Sequence, residues 1–422
     1  MTEKNKSVKK FPNLRFPGFD EEWEVKKLGE AFSIFNGYAF SSNASVDNGN
    51  LWVKIADVGI QEMKRDNISF LPFDFKEKYS KFILEKGDYV VALTRPILSG
   101  KLKIAKIDDF FNGSLLNQRV GKIQTNNHNG FIYYTLQRTP LIKEIENNIA
   151  GSDPPNLSPN EINLISIKLP VISEQQKIAD FLEIIDTRIQ TQRKIIEQLE
   201  TLMKGSRINI FSQKLRFKDE QGYDFPDWKK LKLGEIGNFQ TSSIDKLSKE
   251  DENEVHLVNY MNVYRHEDIN SNTIKSFQKV TAKEQQINSC NLKKGDILFT
   301  PSSETPDDIG HSVVISENLE NAVFSYHLMR FRPKIEIDIL YSHYFCNVPI
   351  VLNQLSKFAT GSTRFTISVK SFSDVEISLP SLSEQKIIGN FLSLIENKIK
   401  VEKQILEKLE LQKKFLLANL FV

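Results

Sequence analysis

"LPVISEQQKIADFL", residues 169–182, returns as "LPSLSEQKIIGNFL" at residues 379–392. Each copy makes a Leu-Pro turn, passes through Ser-Glu-Gln and enters a run whose apolar residues recur alternately every three and four positions. In the first run these are Ile178, Leu182, Ile185, Ile189, Ile196, Leu199 and Met203, interrupted by Gln192. In the second they are Ile388, Leu392, Ile395, Ile399, Leu406 and Leu409, interrupted by Glu402. This spacing is the seam of a coiled coil. Two seams of equal length, one per copy, are predicted to pair antiparallel, and Ser173 and Ser383 are predicted to cap the two helices.

The repeat extends outward from these helices. "LRFPGFDEEWEVKKLGE" (14–30) matches "LRFKDEQGYDFPDWKKLKLGE" (215–235), and "KGDYVVALT" (86–94) answers "KGDILFTPS" (294–302). Ordered matches separated by about 205 to 210 residues indicate an internal duplication. Between the matched segments the two bodies hardly resemble each other, so one scaffold presents two unlike surfaces.

The bodies read as mixed α/β. Runs at 51–58, 89–93, 311–315 and 327–333 are rich in β-branched and aromatic residues and are predicted to be strands. Tyr134, Leu141, Ile142, Ile145 and Ile149 in one body, and Tyr344, Val351, Leu352, Leu355 and Phe358 in the other, predict a closing amphipathic helix. The expected fold class is α+β, with two pseudo-repeated mixed α/β domains joined by two long antiparallel coiled-coil helices. The expected boundaries are a tail at 1–11, a first domain at 12–168, a central helical spacer at 169–214, a second domain at 215–378 and a C-terminal helical spacer at 379–422.

Composition narrows the function classes. With 56 Lys+Arg against 54 Asp+Glu in 422 residues, no whole-molecule field draws the chain to polyanions, so any nucleic-acid contact rests on local patches. Cys290 and Cys346 are too few and too far apart for a disulfide framework or a zinc site. Neither a secretory signal nor an 18-residue apolar run is visible, and the expected location is cytoplasmic.

On these residues the chain resembles the specificity subunit of type I restriction-modification systems. The carriers are the doubled Leu-Pro…Ser-Glu-Gln helices, the Leu-Gly-Glu segments and the "TGSTR" loop at 360–364. The resemblance covers nearly the whole chain. It implies two target recognition domains, each reading one half of a bipartite sequence in double-stranded DNA, with the helices acting as a ruler. Thirty helical residues span roughly 45 Å, a little more than one DNA turn of roughly 34–36 Å. It also implies two methyltransferase (modification) subunits and two restriction/translocase subunits as partners, with no catalytic centre in the chain itself. S-adenosylmethionine, ATP and magnesium are expected in those partners, and no cofactor in this chain.

"GSDPPN" (151–156) approaches the Asp-Pro-Pro-aromatic signature of DNA amino-methyltransferases, but Asn156 stands where a ring stacks on the flipped base. "SIFNGYAF" (33–40) has Ala39 where the S-adenosylmethionine loop needs its second glycine. No GxxxxGK[ST] loop and no HExxH exist. The rival readings are a self-contained methyltransferase with degenerate motifs and a coiled-coil adaptor.

Candidate DNA-contacting residues cluster in matching places of the two bodies. Thr94, Arg95, Ser99 and Lys101 punctuate one loop, and Asn117, Gln118 and Arg119 another; amides suit adenine and guanidinium suits guanine. In the second body Thr300, Ser302, Ser303 and His311 answer the first loop, and His327 and Arg330 the second. Ser362, Thr363 and Arg364 form a polar, basic loop opposite Ser152, Asp153 and Pro154.

Overall fold

The computed structural model describes residues 11–149, 154–158 and 162–422. The chain divides into two compact units, one comprising the residues up to Arg193 with Gln404–Val422, the other Lys194–Lys403.

In the first unit the strand Glu24–Lys27 pairs antiparallel with Ser166–Leu169, bringing the start and end of the body together at the foot of the long helix Ile172–Phe211. The body holds an antiparallel sheet in the order Ser33–Asn36, Val120–Gln124, Tyr89–Ala92, Ile104–Lys106. Beside it lies a smaller sheet in which Asn50–Val53 pairs antiparallel with Phe70–Leu71 and parallel with Leu115–Leu116.

The second unit repeats this plan, with a fourth strand, Asn291–Leu292, added to its second sheet. Lys229–Lys232 pairs with Glu376–Leu379, and the main sheet runs Gly237–Thr241, Met329–Pro333, Ile297–Phe299, Ser312–Val314. In its second sheet Asn253–Val258 again has an antiparallel neighbour, Lys279–Ala282, and a parallel one, Leu319–Phe324. Bodies that hardly match in sequence therefore share one topology. The duplication is legible in backbone pairing where it has faded from the side chains.

The matched motifs are the joints of this scaffold. In Leu-Gly-Glu, Leu28 and Leu233 are buried. Glu30 and Glu235 accept the N–H of Lys27 and Lys232 at 2.7 Å, closing a one-turn helix. In Lys-Gly-Asp, Gly87 and Gly295 take φ of 88–94°, which a side chain would strain. Asp88 and Asp296 accept the N–H of Glu85 and Lys293 across the same turn.

Ser-Glu-Gln anchors the long helices. Glu174 receives both nitrogens of Arg15, at 2.8 and 2.7 Å, and Glu384 receives those of Arg216, at 2.7 and 3.0 Å. Gln175 donates to the Pro170 carbonyl and accepts the His128 N–H; Gln385 does the same with Pro380 and Asp338. The helices start at Ile172 and Leu382, two residues earlier than the serine caps require. Ser173 and Ser383 therefore lie inside the first turn, and Ser381 accepts the Glu384 N–H instead.

Each unit contains a stretch of both long helices, running antiparallel. In the first, Asp186 meets Lys413 at 2.6 Å and Arg193 meets Glu410 at 2.7 Å. In the second, Glu200 meets Lys403 at 2.7 Å. The seam serves two purposes. Ile178, Leu182, Ile185 and Ile189 are buried in the first body's core along with Leu409, and Ile388 and Leu392 in the second's. Ile196 and Ile395 are buried, while Leu199, Ile399 and Leu406 are half-buried along the helices. Docking on a body and pairing of helices use one apolar stripe, at different points along it.

Strands form along the predicted runs at Asn50–Val53, Tyr89–Ala92, Ser312–Val314 and Met329–Pro333, whereas 54–57 and 327–328, predicted as strand, are loop or turn. Each closing helix is instead split in two, Asn129–Thr135 with Thr139–Ile149 and Ile339–Phe345 with Pro349–Phe358. Pro140 and Pro349 stand in the first turn of the second pieces, where a missing N–H costs nothing, and a helix cannot run through them unbroken. Cys290 and Cys346 are free and buried.

Candidate nucleic-acid interface

In both units the two candidate loops meet. Thr94 bridges Asn156 antiparallel, with the Thr94 hydroxyl donating to Asn156 Oδ1 at 2.8 Å, and the Leu157 N–H donates to the Leu93 carbonyl at 2.7 Å. In the second unit Ser302 and Ser303 pair with Thr366 and Phe365, and the Ile367 N–H donates to the Pro301 carbonyl at 2.9 Å. The Pro-Pro-Asn stretch is thus structurally equivalent to Arg364-Phe365-Thr366. Gly151, Ser152 and Asp153 lie outside the described residues. Asn156 is held by Thr94 and by the Pro154 carbonyl, so it is occupied as a loop staple.

Around this junction the first unit exposes Arg95, Ser99 and Lys101. Arg95 has a left-handed backbone, φ 49°, fixed by donation of its N–H to the Pro155 carbonyl at 2.8 Å. Ser99 and Gly100, at φ 50° and 71°, form the two-residue turn of the hairpin Ile97–Leu98/Lys101–Leu102. These side chains stand on backbone fixed by hydrogen bonds and turn geometry.

In the second unit Thr360 and Thr366 exchange backbone bonds of 3.0 and 2.9 Å, forming a small loop that exposes Ser362, Thr363 and Arg364. A Cβ on Gly361 would lie 2.0 Å from the Arg364 carbonyl oxygen, so the loop closes only with glycine there. Arg364 donates to the Ser302 hydroxyl at 3.0 Å, which aims its guanidinium across the junction. His327 is pushed below its ordinary value by burial, with Arg364 and Lys246 adding positive charge.

Five candidates serve the fold rather than a surface. Asn117 is buried and its Oδ1 accepts the Arg119 N–H at 3.0 Å, an Asx turn that shapes the backbone. Thr300 is fully buried on the backbone bond to His311. Ser302 and Ser303 are buried in the strand pair, Ser303 donating to the Thr305 carbonyl. Arg330 is 7% exposed, donates to the Asn291 carbonyl at 2.6 Å and to the Ser289 carbonyl at 3.1 Å, and packs on Phe324. It falls on a sheet strand that is buried on both faces at this point. His311 is half-buried between Asp308, at 2.9 Å, and His266, at 3.2 Å.

The structure adds residues that the loop composition did not single out. Tyr38 and Tyr79 lie with ring centroids 4.5 Å apart, Lys78 sits over Tyr79 at 5.5 Å, and the Gln118 N–H donates to the Tyr38 carbonyl. The available signal was the alternation of aromatics and lysines in "FKEKYSKF" (75–82). In the second unit Tyr260 donates to the Ser302 carbonyl at 3.0 Å and stacks on Tyr264, which packs on His311. The four-residue spacing of the tyrosines in "NYMNVYRH" (259–266) places them on one helical face.

Exposed guanidinium, ammonium, amide and aromatic groups on rigid turns can contact phosphates and base edges. Among the described residues no group of three or more His, Cys, Asp or Glu could hold a metal ion, and no helix is long and apolar enough to cross a membrane.

Comparison with known proteins agrees with this architecture. The family described as "Type I restriction modification DNA specificity domain" matches twice, over residues 20–201 and 226–411. The MjaVIII specificity subunit of Methanocaldococcus jannaschii is 34% identical over 214 residues, half of this chain and half of that protein. The chain thus spans about half the length of that relative. The putative MjaX specificity subunit of the same organism is 24% identical over 93% of this chain and 91% of its own. The crystal structure of the type I S subunit from M. genitalium superposes with TM-score 0.60 at 16% identity, covering 98% of this chain and 99% of that one. A chain from a study of type I complex assembly and conformational transition superposes at 0.54 with 18% identity, over 97% and 99%. With its specificity domain present twice and its fold shared along nearly the whole length, the chain belongs to the family of type I restriction-modification specificity subunits.

Proposed function

We propose that the chain reads a bipartite DNA target, one half-site per domain, and directs two methyltransferase subunits to adenine methylation and two restriction/translocase subunits to ATP-dependent cleavage. Catalysis, S-adenosylmethionine, ATP and magnesium belong to those partners, and this chain positions them on DNA inside the cytoplasm. One observation carries the reading: the same loop junction occurs in both units with equivalent backbone bonds and unlike exposed side chains. A duplicated scaffold with two different surfaces fits an asymmetric split target. Within it, Thr94, Arg95, Ser99, Lys101, Gln118 and Arg119 face one half-site, and His327, Ser362, Thr363 and Arg364 the other.

Host methylome sequencing with and without the gene tests this. Loss of one split motif with a fixed spacer is the expected result. Methyl transfer to DNA by the purified chain alone, supplied with S-adenosylmethionine, would overturn it in favour of a self-contained methyltransferase.

A further inference from the structure

The turn Asn117–Val120 and the turn Ser325–Leu328 are built on the same hydrogen bonds. Asn117 and Ser325 donate their N–H to the carbonyls of Val53 and Val258, at 3.1 and 3.0 Å. The next residues, Gln118 and Tyr326, donate to the carbonyls of Tyr38 and Ile244, both at 3.0 Å. Val120 and Leu328 then close back on Asn117 and Ser325, at 2.9 and 3.0 Å. The first residue of each turn is buried, and so are Val120 and Leu328, which close the turns. Only two side chains per turn are presented outward, Gln118 with Arg119 and Tyr326 with His327.

Their chemistry is unlike. Gln118 and Arg119 are exposed and carry donors and an acceptor suited to the N6/N7 edge of adenine and the O6/N7 edge of guanine. Tyr326 is 51% exposed and lies against the half-buried His327 with ring centroids 3.9 Å and ring planes 38° apart, a tilted pair beside the Arg364 loop. Such a pair carries a hydroxyl and imidazole nitrogens in place of an amide and a guanidinium, and adds ring surface suited to a thymine methyl or to a wedge at a flexible pyrimidine–purine step.

Building on the specificity reading above, we propose that this turn is the specificity-determining element of each domain. Domain one discriminates bases by hydrogen bonds from Gln118 and Arg119, and domain two by stacking and shape through Tyr326 and His327. Arg95 and Arg364, on the adjoining loops, act on the backbone and carry little sequence information.

The test uses the full chain assembled with its methyltransferase subunits and a randomised duplex library, comparing wild type with Gln118→Tyr/Arg119→His and with Tyr326→Gln/His327→Arg. All four positions are on the surface side of a backbone-bonded turn, and the milder Gln118→Ala and Tyr326→Ala serve where a swap lowers stability. Each variant is expected to lose discrimination about tenfold or more at positions in one half-site, leaving the other half unchanged. Selection of a split motif by wild type and of the same motif by every variant overturns the assignment of the turn and leaves the specificity reading standing. Failure of the wild-type complex to select any split motif overturns that reading itself.

Discussion

Glu174 and Glu384 occupy the same place in the two halves, yet they are bonded differently. Each takes two charge-assisted bonds from an arginine, but Glu384 also accepts the indole N–H of Trp228 at 2.9 Å. Trp23, the equivalent of Trp228, is equally buried, and its Nε1–H has no acceptor among the described residues. The duplicated scaffold has kept the ion pair that ties the start of each half to its long helix while the third bond differs. The ion pair is the part of the joint both halves need.

The largest expected effect breaks this comparison at its centre. Glu384→Ala leaves a guanidinium and an indole N–H without their acceptor. Losing one partner of a buried pair costs about 3 kcal/mol or more. Glu174→Ala should cost about 1 kcal/mol less, the net worth of one hydrogen bond. Hydrogen exchange of Lys229–Lys232 with Glu376–Leu379, against Glu24–Lys27 with Ser166–Leu169, reads the two joints separately in the full chain. If Glu174→Ala proved the more damaging, the indole bond would not be what distinguishes them.

A second contrast lies in Leu-Gly-Glu. A Cβ on Gly234 would meet Ser373 Cβ at 2.8 Å and the Ser373 carbonyl oxygen at 3.1 Å, close-set atoms with no freedom to turn aside. A Cβ on Gly29 would meet Asn163 Cγ at 2.8 Å, which can rotate away, and Asn163 Cβ at 3.0 Å, which has to give by a few tenths of an ångström. Gly234→Ala is expected to cost about 2 kcal/mol and Gly29→Ala less than about 1 kcal/mol. Thermal unfolding monitored by the same exchange probes would sharpen the comparison, and equal losses would show that Asn163 is as fixed as Ser373.

These joints explain what was legible in the sequence. Glu174 is demanded by the Arg15 ion pair, Gly234 by the Ser373 backbone and Asp88 by the Glu85 N–H, so their motifs repeat and the duplication, the long helices and the α+β class can be read from them. The candidate interface was legible only in part. Arg95 and Arg364 were visible as exposed basic residues in turns, whereas Arg330 carries the same chemistry on a strand and turns inward. Composition reports the functional group but not whether it stands on a turn or on a strand buried on both faces. Tyr326 escaped because its role depends on equivalence with Gln118, and only the backbone bonds establish that register.

The smallest expected effect concerns acid. His266, His343 and His327 in the second unit are all held below the ordinary histidine value, in each case chiefly by burial. The Ser312 carbonyl and Glu396 offset this at His266, where His311 and Arg207 add to it; Glu396 and Asp268 offset it at His343; Arg364 and Lys246 add to it at His327. Their equivalents in the first unit are Gln61, Tyr133 and Arg119. Gln61 and His266 share a positive φ, 64° and 52°. Gln61 carries no titratable group, and burial pushes the Tyr133 hydroxyl well up, so it stays protonated. Below about pH 6.5 the unfolded chain binds protons that the folded second unit refuses. Stability contributed by the neutral imidazoles is therefore complete above that value and is lost as pH falls through the lowered folded values. Exchange at about pH 7.5 and about pH 5.5, corrected for intrinsic rates, should show Ile297–Phe299 and Met329–Pro333 weakening before Tyr89–Ala92 and Val120–Gln124. Equal weakening of both sheets, or a loss on the alkaline side instead, would mean that the histidines do not set the difference between the halves.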